Sequence, residues 1–172
     1  AAVLWIQLLA LLLMGSPAVC ADDAKGPSPL VQLQTESATL SIGSNGSLLA
    51  FSRRSDGMDY LAKNQPAPLL SLRSGGTLLA PDGAAWDSTA HRLTLRFGKS
   101  GLSAQVRVIS KTSHITFELI EISPAGSADQ AVWGPYPTSI RKTVGEVVGV
   151  VRDDTFALGL QALNIKTLGG YP

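Results

Sequence analysis

Residues 91–122 read HRLTLRFGKSGLSAQVRVISKTSHITFELIEI, and their period is two. His91, Leu93, Leu95 and Phe97 fall on one face, with Arg92, Thr94 and Arg96 on the other. Gly98-Lys99-Ser100-Gly101 turns the chain, after which Ala104, Val106 and Val108 alternate with Gln105 and Arg107. Lys111-Thr112-Ser113 turns it again, and Ile115, Phe117 and Leu119 alternate with Thr116 and Glu118. Side chains of a strand point to opposite faces in turn, so this pattern predicts an antiparallel meander with one buried and one wet face.

The same period extends in both directions. Val31–Thr35, Ala38–Ile42, Ser47–Arg53 and Leu69–Arg73 read as short strands. Ser44-Asn45-Gly46 is expected to be a type I′ hairpin turn, since Asn and Gly accept positive φ. Val147–Arg152 is nearly continuous in valine and is expected to be buried on both faces. Thr155–Leu163 follows, with Phe156, Leu158 and Leu160 on one side and Asp153-Asp154 as the turn before it. No long amphipathic helical pattern occurs after the first 21 residues. Many short strands separated by turn signals predict an all-β, antiparallel β-sandwich over residues 31–163.

Residues 1–21 carry no charge, and Leu4–Met14 is apolar apart from Gln7. Gly15-Ser16-Pro17 and Val19-Cys20-Ala21 complete the pattern of a cleaved secretory signal. The apolar run falls short of the about 20 residues that span a bilayer, which disfavours a retained anchor. The expected location is therefore secreted or periplasmic, with no membrane association after cleavage. Ala1 stands where a start methionine and a basic n-region are expected, so the reading frame is expected to begin upstream. Cys20 raises a lipoprotein alternative, but Pro17 and Val19 fit that signal poorly. Residues 22–30 read as a polar lead-in, and 164–172, ending Leu168-Gly169-Gly170-Tyr171-Pro172, as the start of a linker to a further C-terminal region.

The 172 residues are 45% apolar and 16% charged, with 14 basic against 13 acidic groups. The formal charge of +1 argues against a nucleic-acid partner, which demands a clustered excess of Lys and Arg. Neither low hydropathy nor high charge points to disorder. The one cysteine cannot form an internal disulfide.

Candidate chemistry is sparse. Trp133-Gly134-Pro135-Tyr136-Pro137 is a stiff aromatic segment. It is either a platform on which sugar rings stack or a plug over the open end of the sandwich. Arg152-Asp153-Asp154 is either a sugar or Ca²⁺ contact or a simple hairpin turn. Trp133, Tyr136, Arg152 and Asp153 are thus the candidate substrate-binding residues. Trp86 is expected to be a partly buried packing residue, His91 a core histidine and His114 exposed. Glu118, Glu121 and Glu146 stand alone, whereas a glycosidase needs two carboxyls about 5–9.5 Å apart. No metal-ligand spacing, Gly-x-Ser-x-Gly elbow or phosphate loop occurs. No catalytic residue is assigned, and no cofactor is expected. Asn45-Gly46-Ser47 fits an N-glycosylation acceptor, but the turn already explains it.

Leu40-Ser41-Ile42, Asn45-Gly46, Leu48–Arg53, Asp56-Gly57, Tyr60-Leu61 and Pro68-Leu69-Leu70 follow one another in a familiar order. Together they resemble the opening of the galactose-mutarotase-like supersandwich that begins many secreted bacterial glycoside hydrolases. Trp133–Tyr136 and Val151–Asp154 look like rim loops of such domains in α-galactosidase-like enzymes. The resemblance implies a supersandwich that packs on a (β/α)₈ barrel, where the barrel supplies the catalytic carboxylates. The expected function is therefore an accessory β-sandwich of a carbohydrate-active hydrolase, partnered by carbohydrate and by its own catalytic domain. A stand-alone carbohydrate-binding or adhesion module and a structural sandwich without ligand are the alternatives.

Overall fold

The computed structural model describes residues 27–145 and 149–168. The signal segment with Cys20, residues 22–26 of the expected lead-in, Glu146, Val147 and Val148 at the start of the expected valine strand, and the last four residues of the expected linker lie outside them. The described residues form an all-β, antiparallel β-sandwich. The strands are β1 (Pro29–Gln34), β2 (Ala38–Gly43), β3 (Leu48–Arg53), β4 (Leu70–Ser74), β5 (Thr77–Leu79), β6 (Gly83–Asp87) and β7 (Arg92–Phe97). They continue as β8 (Leu102–Ser110), β9 (Ile115–Ser123), β10 (Gln130–Trp133), β11 (Thr143–Val144), β12 (Gly149–Arg152) and β13 (Ala157–Leu160).

The meander β6-β7-β8-β9 forms one layer. Its register sets Leu93 opposite Val106, Leu95 opposite Ala104 and Phe97 opposite Leu102, and all six are buried. The alternation of 91–122 is thus the inner face of this sheet, with Arg107 and Glu118 paired across its wet face at 2.9 Å. Val106 faces Leu119 while Gln105 faces Glu121, so Ile120 is an extra residue in β9. This bulge turns Ile120 outward and returns Ile122 to the core.

The facing layer consists of β1-β2-β3 and β10-β4-β5. Leu33, Leu40, Ile42 and Leu48 of the first and Leu70 and Leu72 of the second join the meander's inner face in one apolar cluster. Each fully buried leucine there contributes roughly 1.5–3 kcal/mol relative to an exposed one. Ala84 N–H donates to Ser44 O at 2.7 Å and Glu36 N–H to Thr112 O at 2.6 Å, tying the layers together at their rims.

Several local expectations change. The polar lead-in is shorter than 22–30, because β1 begins at Pro29. The Ser44-Asn45-Gly46 hairpin exists, but only Gly46 has positive φ (+78°), and Gly46 N–H closes back on Gly43 O. The turn is therefore not type I′, which needs two positive φ values. His91 is not in the core: it occupies the turn before β7 at φ 49°, exposed, with its ring edge-on to the half-buried Trp86. His114 is exposed, as its position suggested.

The largest change concerns the third sheet, β11-β12-β13. Val150 and Val151 are only half-buried, because β12 lies in this small outer sheet and not within the core. Strand β13 ends at Leu160, and Leu160 is exposed.

Candidate functional site

Trp133 closes β10 opposite Leu70, and its half-buried ring lies 6.2 Å from Phe117. Gly134 then takes φ +81°, with a cis bond to Pro135, and brings Tyr136 back over the core. The Tyr136 hydroxyl donates to Leu69 O at 2.6 Å, and burial pushes its phenol above the usual range. Both rings are packed against the apolar cluster, which is the geometry of a plug.

Arg152 and Asp153 sit elsewhere, at the β12–β13 hairpin. Asp153 N–H donates to Phe156 O at 2.9 Å, which closes the turn. Its carboxylate accepts from Thr155 N–H at 2.8 Å, Phe156 N–H at 2.7 Å and the Thr155 hydroxyl at 3.1 Å. These amide donors hold the acid below the usual carboxylate range. Asp154 pairs with Lys142. Both carboxylates are thus engaged, and among the described residues no three His, Cys, Asp or Glu side chains converge on a metal position.

What the Asp153 turn does is fix Phe156. That ring stacks on Tyr60 at 4.8 Å and 7°, with Phe51 6.0 Å away. Tyr60 is held in turn by Asp59, whose Oδ1 accepts from Phe51 N–H at 2.9 Å and Leu61 N–H at 3.0 Å. Burial works to raise the Asp59 acid, but its Lys63 partner and these amides outweigh burial and lower it. Arg53 lies 5.7 Å over the other ring of the stack, that of Tyr60, in cation–π range. The same guanidinium pairs with Asp56 and holds that acid down at about 2. Arg54 donates from one nitrogen to Thr35 O at 2.9 Å. The buried Tyr60 hydroxyl finds no hydrogen-bond partner among the described residues.

Two shallow hollows flank Phe156. One, about 450 Å³, runs between Glu36-Ser37, Arg53-Arg54-Ser55 and Thr155-Phe156. The other, about 340 Å³, is bounded by Arg152–Ala157. Both are open to solvent along most of their length. Thr155 and Phe156 belong to both, so the hollows adjoin. Arg152 and Asp153 border the smaller hollow, whereas Trp133 and Tyr136 line neither hollow. Glu36, Arg53 and Phe156 were not anticipated. The region was signalled through the resemblance, by Leu48–Arg53, Asp56-Gly57, Tyr60-Leu61 and Val151–Asp154.

No family model, curated protein or solved structure matches the chain.

Proposed function

We propose that the chain is the non-catalytic β-sandwich of a secreted carbohydrate-active hydrolase, and that the cleft around Phe156 holds saccharide for a catalytic domain elsewhere in the protein. The observation that carries this reading is the cleft itself. A locked aromatic ring forms its centre, and hydroxyls, guanidinium groups and carboxylates line it on both sides. Sugars present C–H faces to aromatic rings and hydroxyls to such polar groups, so the composition suits them. Site residues under this reading are Arg152, Asp153, Arg53, Glu36 and Phe156, with Trp133 and Tyr136 supporting the fold.

The accessory role draws on exposed apolar surface. Large apolar side chains of the outer sheet and the segment after it, Val144, Leu160, Leu163, Ile165 and Leu168, are exposed. A surface of that kind suits cover by another protein surface. Export rests on the leader-like residues 1–21.

The test is activity of the complete gene product beside that of the 172-residue chain on nitrophenyl glycosides and polysaccharides. Turnover by the complete product alone is expected. Turnover by the 172-residue chain would overturn the accessory role, and no carbohydrate turnover by either would overturn the reading.

A further inference from the structure

We propose that the cleft takes an uncharged oligosaccharide of at least two rings, one in each hollow, and discriminates against acidic sugars. This rests on the reading of the chain as a carbohydrate-handling sandwich and adds the ligand's charge and length.

The charge follows from the lining. Glu36, Arg53 and Arg54 border the larger hollow, and Arg152, Asp153 and Asp154 the smaller. Three cations therefore face three carboxylates. The partners just outside, Asp56 on Arg53 and Lys142 on Asp154, add one of each sign. The lining taken as a whole therefore carries no excess charge to attract an anion. A hydroxyl both donates and accepts. It can therefore use guanidinium and carboxylate neighbours alike, and a neutral polyol satisfies this mixed surface where an ion satisfies half of it.

Unspent hydrogen-bonding capacity lies on both sides of the ring. Arg53, Asp153 and Asp154 are engaged within the fold. Arg54 gives one nitrogen to Thr35 O and keeps its other donors. Glu36 and Arg152 have no ion-pair partner within 4.0 Å among the described residues. Glu36 and Arg54 thus serve the larger hollow and Arg152 the smaller.

The length follows from Phe156. Its stack on Tyr60 and the two amides anchored on Asp153 hold it between the hollows, half-buried. A ring fixed before the ligand arrives loses little freedom on binding. Glu36 borders only the larger hollow and Arg152 only the smaller, so a sugar ring seated in one hollow forgoes the polar group of the other.

Calorimetry on the intact chain tests this, with galactobiose, cellotriose, maltotriose, glucose and trigalacturonate as probes. At least one neutral oligosaccharide is expected to bind about tenfold or more tighter than glucose, with trigalacturonate weaker still. Phe156→Leu is expected to cost about tenfold, the scale of one aromatic contact. Glu36→Gln and Arg152→Ala alter exposed side chains, leave the melting temperature in place, and should each weaken the oligosaccharide severalfold while changing glucose less. Binding unaffected by both of these variants would place the ligand outside the cleft and overturn the inference. Preference for trigalacturonate would overturn the charge argument while leaving the carbohydrate reading intact. Silence from every neutral probe, with glycoside turnover by the complete gene product, would overturn the inference alone.

Discussion

Gly46 carries two constraints. Its φ is +78°, and a Cβ there would lie 2.8 Å from Leu95 Cδ2 and 3.0 Å from Pro81 Cγ. Gly46→Ala is therefore expected to lower stability by about 1–3 kcal/mol, read as a lower urea midpoint at unchanged slope; an unmoved midpoint would contradict the turn geometry. Tyr60→Phe should act in the opposite direction. It removes a buried hydroxyl without a partner, and a gain of about 1 kcal/mol in a denaturant titration is expected. The carboxylates define an acid limb. Asp56, Asp59, Asp87 and Asp153 are lower in the folded chain than the unfolded value near 3.8. Their contribution is complete above the unfolded value and is lost as pH falls below it, down to about 2 for Asp56, because the unfolded chain then binds protons more readily. Tyr136 defines an alkaline limb with the reverse sign. Its raised phenol favours the fold up to about pH 10, and stability is lost above that. Melting curves should show both limbs, and Tyr136→Phe should flatten only the alkaline one. At this scale the Asn45-Gly46 pair was legible as a turn. Its type was not, because one positive φ or two depends on how β2 and β3 register, with Ile42 opposite Leu48 and Ser41 opposite Ala50.

The elements that could be read in advance are those whose alternation runs long enough to count. Strands β7, β8 and β9 repeat apolar positions at every second residue, and burial of Leu93, Leu95, Val106 and Val108 follows. Leu95→Ala should therefore cost about 2–5 kcal/mol, the range for a cavity in a closed core. Ile120→Thr, at the outward bulge, should stay within about 0.5 kcal/mol; chemical denaturation of the pair checks the assigned faces, and equal losses would contradict them. Strands β5, β10 and β11 have two to four residues and hold too little pattern to detect. Strand β12 misled for another reason. A run of valines reports that a strand favours extended backbone, but whether a layer covers it depends on distant segments. Here the outer sheet leaves Val150 and Val151 half-open.

For the molecule as a whole, the sandwich was legible, and so was the polar turn at Arg152-Asp153. Arg152 and Asp153 stand next to each other in the chain, so a polar turn could be seen. Glu36, Arg53 and Phe156 meet only because β1–β3 and the β12–β13 hairpin converge, and the alternation of 155–163 says of Phe156 only that it shares one side of a strand with Leu158 and Leu160. The aromatic segment at Trp133 had the residue types of a sugar platform, yet Leu69 O and Phe117 lie within reach and capture both rings. Exposure of Ile165 at 97% and Leu168 at 89% is the other whole-molecule feature. Under the proposed accessory role, a catalytic domain docked on them should protect these residues and β13 from hydrogen exchange, and equal exchange with and without that domain would argue against docking there. The most direct test of the account is residue-resolved NMR during titration of the chain with a neutral trisaccharide. Shifts confined to 36–37, 53–55 and 152–157 are predicted, and shifts centred on Trp133 and Tyr136, or none at saturating sugar, would contradict it.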